Sequence, residues 1–458
     1  MKIRNLNPRD GIGASAWHIE FERGRILLDA GTDPTQEGRS SLPRFNLVEN
    51  RELDAIALSH CHQDHIGSLP LAVRHFSKTD VYMTQPSYFL IERVLHNSVN
   101  VMGRRREDEG ILDYPLYTHR EVEEIAHLFK GRKYNSPESW VTASKNGSNP
   151  VDSRLEFFDA GHTLGSAGIL ASSENESVFY SSDVCFQDQI LLKGARFGQV
   201  KADVLILETT RGAQVIPEGF TRGLEVKRLK KAIVEVGNVK GTLLIPSFGL
   251  GRTQEVLTLL SEMIQAGEIK EQPIYIGGLG KVFTDIYDME APRTHRRHPD
   301  LQLSSALNLV VLGRNQLNEM RIRKSRIYVM TSGMMVENTF SHDLIVRLAE
   351  NPKASVFFVG YTAPDTPGGR FKSSENGKSF SFSRICPDLI RKCEVESFDL
   401  SAHANRDELL DFVGQVAPQT VILTHGEQDA REWINEQIKI RFPKTRILQP
   451  SPGELVEC

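Results

Sequence analysis

The sequence is poor in the features that mark secreted or membrane proteins. It has five cysteines in 458 residues, an odd number without CxxC spacing, which argues against a disulfide framework. No apolar run approaches the length needed to cross a bilayer, and residues 1–10 lack the apolar core of a signal peptide. We therefore expect a cytoplasmic protein that does not contact a membrane.

A surplus of positive charge is also missing. The chain has 55 Lys and Arg against 59 Asp and Glu, which gives a formal net charge of −4. Because phosphate affinity normally depends on a surplus of Lys and Arg, this composition does not indicate a nucleic-acid-binding protein, although it does not exclude one. A hydrophobic content of 40% and a charged content of 25% are typical of a globular chain, and its length predicts two domains.

One short stretch concentrates residues that bind metals. It reads Leu58-Ser59-His60-Cys61-His62-Gln63-Asp64-His65-Ile66-Gly67 and holds three of the 14 histidines. An apolar, strand-like run precedes it, and alternate side chains of an extended chain leave on the same side, so His60, His62 and Asp64 can face one cavity. His60 and His62 would hold one metal, and Asp64 with His65 a second. Imidazole nitrogen and carboxylate oxygen are the ligands of catalytic zinc sites.

Further candidate ligands lie at or just after other strand-like runs. They are Asp29, His162, Asp183 and Glu208. Asp29 is either a turn residue or an acceptor that orients a zinc-bound histidine. Alone, His162 or Asp183 would be interpreted as a hydrogen-bonded loop residue. Together with the histidine-rich stretch, they are interpreted as metal ligands at the edge of a sheet.

From about residue 209 the pattern changes to apolar runs that alternate with helical periodicity. The runs lie at 242–245, 274–276, 326–330 and 355–359, and the helical patterns lie near 222–236, 252–266, 279–288 and 339–350. This alternation predicts a parallel sheet covered on both faces. Ligand-like His403 and His425 follow it, so this domain is expected to be an insertion. The predicted domains are a first domain built from residues 1–208 and 386–458, and an insert at 209–385.

Two turns within the insert are candidate phosphate sites. Ser247, Gly251 and Arg252 lie in one, and Ser332 and Gly333 lie in the other. Amide groups at a helix amino terminus bind phosphate, and Arg252 adds a forked donor. The alternative is an ordinary tight turn at each place. Neither is a Walker motif, because no lysine follows the glycines as required, and we expect no nucleotide cofactor.

Taken together, these residues resemble the metallo-β-lactamase fold, and specifically its β-CASP branch of nucleases. Asp29, the His60-x-His62-x-Asp64-His65 signature, His162 and Asp183 correspond in order to the four lactamase-fold motifs, and Glu208, His403 and His425 match three motifs that mark the β-CASP branch. The resemblance covers nearly the whole chain. It implies an αββα sandwich with an inserted, parallel-sheet β-CASP domain.

The resemblance also implies roles for the residues. One zinc ion is expected on His60, His62 and His162, a second on Asp64, His65 and His425, with Asp183 bridging the two ions. His403, polarised by Glu208, would protonate the departing oxygen. Asp64 is counted with this pair as catalytic, and Asp29 would support a ligand from behind.

The implied activity is zinc-dependent hydrolysis of phosphodiester bonds. His425 favours RNA, because family members that act on DNA tend to have an apolar residue there. Single-stranded RNA is the expected partner, with endonuclease action as the first expectation and a 5′–3′ exonuclease mode as the second; a homodimer is also considered. The alternatives are a DNA nuclease, another hydrolase of this fold such as a small-ester hydrolase, and a non-catalytic RNA-processing subunit. Arg211 stands where the family usually has tyrosine, which bears on substrate preference.

Overall fold

The apolar runs of the sequence form strands in the computed structural model, which describes residues 1–49, 52–76, 79–140, 151–319 and 325–458. Within these ranges the strands are β1 (Lys2–Asn5), β2 (Trp17–Glu20), β3 (Arg25–Leu28), β4 (Ala55–Ala57), β5 (Val81–Thr84), β6 (Phe129–Arg132), β7 (Ser153–Asp159), β8 (Ala167–Ser173), β9 (Glu176–Tyr180), β10 (Val204–Glu208), β11 (Thr242–Pro246), β12 (Ile274–Gly277), β13 (Leu309–Leu312), β14 (Ile327–Met330), β15 (Ala354–Phe358), β16 (Ser379–Phe380), β17 (Leu389–Ile390), β18 (Glu394–Ser397), β19 (Thr420–Thr424), β20 (Arg446–Leu448) and β21 (Leu455–Glu457).

Helices connect most of these strands. They are α1 (Gln63–Ile66), α2 (Leu69–His75), α3 (Gln85–Glu109), α4 (His119–Ile125), α5 (Arg222–Asn238), α6 (Arg252–Gln265), α7 (Gly278–Met289), α8 (Leu303–Ala306), α9 (Arg314–Glu319), α10 (Phe340–Leu348), α11 (Pro367–Ser373), α12 (Arg406–Val416) and α13 (Gln428–Arg441). Short 3-10 helices lie at Gly38–Ser41, Phe45–Leu47, Ala126–Leu128 and Ala291–Arg293. Among the helices of the described ranges, none is both long and apolar enough to cross a bilayer.

The chain divides into two units. Unit 1 comprises residues 1–187, 194–215 and 403–458, and unit 2 comprises residues 188–193 and 216–402. Unit 1 contains two sheets with strand orders β21-β1-β2-β3-β4-β5-β6 and β20-β19-β10-β9-β8-β7. Trp17 of β2 and Ile206 of β10 belong to the apolar layer between these sheets. Leu205, which points to the other side of β10, packs with Phe412 of α12.

The other sheet of unit 1 is covered by α3, which packs against β5 and β6. Two facing sheets with helices outside them confirm the predicted αββα sandwich. Helix α3 begins where the Thr84 side chain accepts a hydrogen bond from the Ser87 amide, and it ends at Gly110, which is in the left-handed region with φ of 72°. Its buried face continues to Met102.

Strand direction positions the candidate ligands. In one sheet β3, β4 and β5 run parallel, and in the other β9, β10 and β19 run parallel. Asp29 and His60 follow β3 and β4, while Asp183, Glu208 and His425 follow or end β9, β10 and β19. Because the carboxyl ends of parallel strands share one edge of a sheet, residues far apart in sequence meet there.

Unit 2 contains a six-stranded, all-parallel sheet with the order β13-β12-β14-β11-β15-β18. The four predicted strands are found as β11, β12, β14 and β15. The sequence did not predict β13 and β18. Both are edge strands with partly exposed side chains, so they lack the continuous apolar run of a strand buried on both faces.

The boundaries of unit 2 differ from the predicted insert at 209–385. Strand β18 pairs with β15, so the chain returns to unit 1 only at His403 instead of residue 386. Residues 188–193 also belong to unit 2. The carboxylate of Glu255 holds this segment by accepting hydrogen bonds from the amides of Ile190, Leu191 and Leu192.

Candidate metal centre

The predicted ligands meet in unit 1. They form three overlapping groups, and within each group the ligand atoms all lie within 4.8 Å of one another. The groups are His60, His62, His162 and Asp183; Asp64, His65, Asp183 and His425; and Asp183, Glu208 and His403. Asp183 belongs to all three, so its carboxylate lies where the sequence-based prediction expects the bridge.

The loop that carries the histidine-rich stretch is held tightly against the end of β3. A Cβ atom on Gly31 would lie 1.7 Å from the carbonyl oxygen of Asp64, so only glycine fits there. The amide of Ser15 donates to the same carbonyl at 2.8 Å. On the opposite side of the site, His425 has a φ of 48°, an unusual backbone conformation for a residue other than glycine. These contacts fix the backbone from which the ligands project.

The first group brings three ring nitrogens together. His62 Nδ1 lies 3.1 Å from His60 Nε2 and 3.1 Å from His162 Nε2. The Oδ2 atom of Asp183 is 3.7 Å from His60 Nε2 and 3.6 Å from His162 Nε2. Three imidazole nitrogens and a carboxylate oxygen within 4.8 Å of one another form a donor set that suits zinc.

The second group contains two buried polar atoms that lack hydrogen bonds. His65 Nε2 and Asp183 Oδ1 lie 3.5 Å apart, and neither has a hydrogen-bond partner among the described residues. His425 Nε2 is 3.3 Å from Asp64 Oδ2, and its Nδ1 is 3.2 Å from Asp183 Oδ1. Because buried polar atoms without hydrogen bonds are costly, this arrangement fits a cation between the side chains.

A network of hydrogen bonds supports the ligands from behind. Asp29 is fully buried, and its Oδ2 lies 2.7 Å from His65 Nδ1. Asp29 also accepts from the amide and the hydroxyl of Ser59, both at 2.7 Å, and from the hydroxyl of Tyr180 at 2.9 Å. With Nδ1 held in this way, His65 directs Nε2 towards the second group. This is the position predicted for Asp29.

Charges within the centre oppose one another. Burial lowers the pKa of His60 well below its ordinary value, and the neighbouring histidines lower it further. Burial also acts to lower the pKa of His65, but the surrounding carboxylates, above all Asp183, raise it well above its ordinary value. Burial alone would raise the pKa of Asp183, but His425 and His65 hold it well below its usual range. A bound cation would take the place of protons here, so metal binding is coupled to proton release.

The third group joins the candidate metal ligand Asp183 to a histidine–carboxylate pair. His403 Nδ1 lies 3.2 Å and 3.3 Å from the two carboxylate oxygens of Glu208. The amides of Val184 and Thr210 donate to the same carboxylate at 2.9 Å and 3.2 Å, which fixes its orientation. Burial acts to lower the pKa of His403, but the charges of Glu208 and Asp183 raise it above its ordinary value.

The predicted phosphate-binding residues all belong to unit 2. Ser247, Arg252 and Gly333 line one small cavity at the carboxyl ends of β11, β14 and β15. The guanidinium group of Arg252 donates to the carbonyl of Leu400 and to the side chain of Gln189. The side chain therefore joins segments of unit 2. Phosphate binding by this group stays a prediction, as it does for the two residues outside that lining, Gly251 and Ser332.

Sequence reasoning missed several residues that contact the ligands. Ser59 lies 3.2 Å from His60 Nδ1, and Thr210 Oγ1 lies 3.1 Å from His425 Nδ1. Ser59 directly precedes His60, and Thr210 lies two positions after Glu208. Closeness to a motif residue in the sequence could have identified both. The phenol of Tyr180 had no such signal, because the end of an apolar strand is equally typical of a core residue.

A two-sheet sandwich with clustered histidines and carboxylates at the strand ends defines a metal-dependent hydrolase. Three family models match successive parts of the chain: the metallo-β-lactamase superfamily at residues 9–230, the Beta-Casp domain at 253–371 and the Zn-dependent metallo-hydrolase RNA specificity domain at 388–448. The chain therefore belongs to the β-CASP nucleases of the metallo-β-lactamase superfamily, which confirms the resemblance seen in its motifs.

Similar curated proteins carry ribonuclease names. "Probable RNase MJ4" of Methanocaldococcus jannaschii is 29% identical over 429 residues, covering 91% of each chain. "RNase aCSPSF2" of Saccharolobus solfataricus is 28% identical, covering 97% of this chain and 82% of its own. "Endoribonuclease YSH1" of Eremothecium gossypii is 25% identical over 93% of this chain, which spans only 54% of that relative.

One solved structure is similar in fold. It is a crystal structure of a protein of unknown function from Enterococcus faecalis V583, with a TM-score of 0.58, 13% sequence identity and coverage of 99% of both chains. At this level of identity the likeness concerns the fold alone.

Proposed function

We propose that this chain is a zinc-dependent ribonuclease that cleaves single-stranded RNA at internal phosphodiester bonds. The observation that carries the proposal is the His403–Glu208 pair, which shares Asp183 with both ligand groups. A metal centre alone suits many hydrolases. A fixed proton donor beside it suits the departure of an alkoxide from a phosphodiester. The ribonuclease names of the relatives and the matched RNA specificity domain support RNA as the substrate.

The residues proposed to bind zinc are those of the first two groups. His60, His62 and His162 would hold one zinc ion, Asp64, His65 and His425 a second, and Asp183 both. When bound, two zinc ions neutralise charge on the scissile phosphate and lower the pKa of water to about 7, so that a nucleophile is available at neutral pH.

The protein itself supplies the proton for the leaving group. Glu208 engages His403 at Nδ1, so Nε2 is the atom that can carry a proton to the departing oxygen. The two amides on Glu208 keep the carboxylate in place during this transfer. Burial acts against a charged ring, but the charges of Glu208 and Asp183 raise the pKa of His403, which favours the protonated form that serves as the donor.

The test uses the zinc-loaded protein and one RNA sequence labelled separately at each end. Cleavage at internal bonds should give labelled products of intermediate length from both the 5′-labelled and the 3′-labelled RNA. Mononucleotides released from the 5′ end would instead indicate the exonuclease mode, and cleavage of the matching DNA alone would contradict the choice of RNA. Elemental analysis should find about two zinc ions per chain, as in two-metal hydrolases; none in gently purified protein would favour a non-catalytic subunit.

A variant pair tests the role of His403. His403→Gln should keep the metal content and lower kcat by about 10²–10⁴-fold, since the proton donor is lost. His127→Gln, at an exposed histidine outside the metal centre, is the matched control. Full activity of the His403 variant would refute its assigned role. The homodimer and the cytoplasmic location stay predictions.

A further inference from the structure

A cationic side chain lies beside the His403–Glu208 pair and has no part in the mechanism above. Arg211 follows β10 in a turn closed by the Gly212 amide, which donates to the Thr209 carbonyl at 2.9 Å. A Cβ atom on Gly212 would lie 2.5 Å from the carbonyl oxygen of Ala430 in α13, so the turn is packed directly against that helix. The backbone of Arg211 is therefore fixed.

The Arg211 side chain is anchored as well. Its Nε donates to Gln214 Oε1 at 2.7 Å, and its Nη1 donates to the backbone carbonyl of His403 at 3.4 Å. One position earlier, the hydroxyl of Thr210 donates to the carbonyl of His425 at 3.1 Å. A partly exposed guanidinium group is thus held next to the residue proposed to protonate the leaving oxygen. Such preorganisation limits the entropy lost when a ligand binds.

The negative charges around His403 would repel an RNA phosphate unless a nearby cation offsets them. The carboxylates of Glu208 and Asp183 lie at or near its ring, and their side chains are only 1% and 3% exposed. An RNA strand that places its leaving oxygen at His403 brings its next phosphate towards this negative charge. Of the two proposed zinc ions, neither would be held by Glu208. A guanidinium group offsets that charge and matches the oxygens of a phosphate in a bidentate contact.

On the basis of the proposed function, we infer that Arg211 binds the RNA phosphate adjacent to the scissile one, on the side of the leaving oxygen. The ligand is one phosphodiester group of a single-stranded polynucleotide. The contact acts on substrate affinity, because the adjacent phosphate changes neither charge nor bonding during cleavage.

The experiment measures RNA cleavage and RNA binding at several salt concentrations for the zinc-loaded wild type, Arg211→Gln, Arg211→Lys and Arg211→Tyr. Arg120→Gln is the control, since Arg120 is 85% exposed on α4. Arg211→Gln should raise KM by about 10-fold or more, as expected for a lost charged hydrogen bond, with kcat little changed. It should also make the dependence of RNA affinity on salt less steep. The slope of the logarithm of the RNA association constant against the logarithm of the salt concentration should fall in magnitude by about 0.7, the value for one phosphate contact on a single strand.

Arg211→Lys should have the salt slope of the wild type, because lysine keeps the positive charge. Its KM should lie between those of the wild type and Arg211→Gln, because lysine cannot make a bidentate contact. A wild-type KM and slope in Arg211→Gln would overturn the inference. So would a fall in kcat with an unchanged slope, which would mean that Arg211 only holds His403 in position. Metal content and the unfolding midpoint identify a misfolded variant, and Arg211→Tyr then provides the same comparison with a bulky neutral side chain. If the wild type neither binds nor cleaves RNA, the proposed function fails instead.

Discussion

At the scale of single residues, the chemistry depends on partners that fix each side chain. Asp29 shows this clearly. In the sequence it is an aspartate at a strand end, equally suited to a turn. In the structure it is buried and accepts from Ser59 and Tyr180 while its carboxylate faces His65 Nδ1. Its role is therefore decided by neighbours from distant parts of the chain.

Asp29→Asn should weaken zinc binding by about 10–100-fold, because the amide no longer holds His65 as a charged acceptor does. The measurement is competition with a chromophoric chelator, which reports affinity independently of activity. Tyr180→Phe removes one hydrogen bond to the same carboxylate and should have a smaller effect. Equal affinities in Asp29→Asn and the wild type would contradict this supporting role.

Because His18 in β2 is buried, we expect the stability of the protein to depend on pH. It is 6% exposed, and its Nε2 has no hydrogen-bond partner among the described residues. Burial lowers its pKa to about 4. Folding therefore favours the neutral ring, whose stabilising effect is complete above the unfolded pKa of about 6.5 and is lost as the pH falls towards the folded value.

Between about pH 7 and about pH 5, the free energy of unfolding of the metal-free wild type should fall by about 2 kcal/mol more than that of His18→Leu. Urea unfolding at the two pH values measures this difference. His127→Leu, at an exposed histidine, should follow the wild type. Parallel losses in the wild type and His18→Leu would show that His18 does not titrate as its burial implies.

Among the strands of unit 2, the apolar runs of the sequence predicted those that are buried on both faces. The strands that were not predicted are partly exposed. Strands β11, β12, β14 and β15 are continuous apolar runs, whereas β18 contains two glutamates and lies at an edge. An edge strand buries only part of its surface, so its sequence carries a weaker signal. The pairing of β18 with β15 was available only from the structure.

Two glycine substitutions should have opposite effects. Gly31→Ala places a Cβ atom 1.7 Å from the Asp64 carbonyl, so the ligand loop must shift. We expect a loss of about 1–3 kcal/mol in stability, together with weaker zinc binding. In Gly103→Ala the added methyl meets nothing within 4 Å in α3, and a gain of about 0.5–1 kcal/mol is expected from helix propensity.

Thermal or urea unfolding with and without zinc measures both variants. An unaltered Gly31→Ala protein would mean that the loop after β3 can relax without moving Asp64. Loss of stability in Gly103→Ala would indicate a contact of α3 beyond those in the described residues.

At the scale of the whole molecule, the chain leaves unit 1 and returns to complete its metal centre. His425 and Asp64 are 361 positions apart and yet 3.3 Å from each other. Unit 2 has its own parallel sheet and its own apolar core. The centre should therefore couple the first and last segments of unit 1 energetically, because a ligand that binds only the folded site stabilises all the segments that form it.

Hydrogen exchange with and without zinc should show this coupling. Added protection is expected in peptides that contain residues 58–67, 159–166, 181–185 and 403–427, and not in the central strands of unit 2. Peptides covering 386–402 should behave like unit 2, as the pairing of β18 requires. If they instead gained protection together with the candidate ligand loops, the boundary at 386 that the sequence predicts would be the better one.

Local sequence signals were enough to predict the fold class and the family, and they named the candidate ligand residues. These depend on local signals: short spacings such as His60-x-His62-x-Asp64-His65, apolar runs and glycine-rich turns. Only the folded chain shows where the chain returns to unit 1, that Asp29, which accepts from Tyr180, supports His65, and that Arg211 lies against His403. The physical reason is that pairing at a sheet edge and hydrogen bonds between distant loops depend on which strands lie side by side, and no short stretch of sequence encodes that.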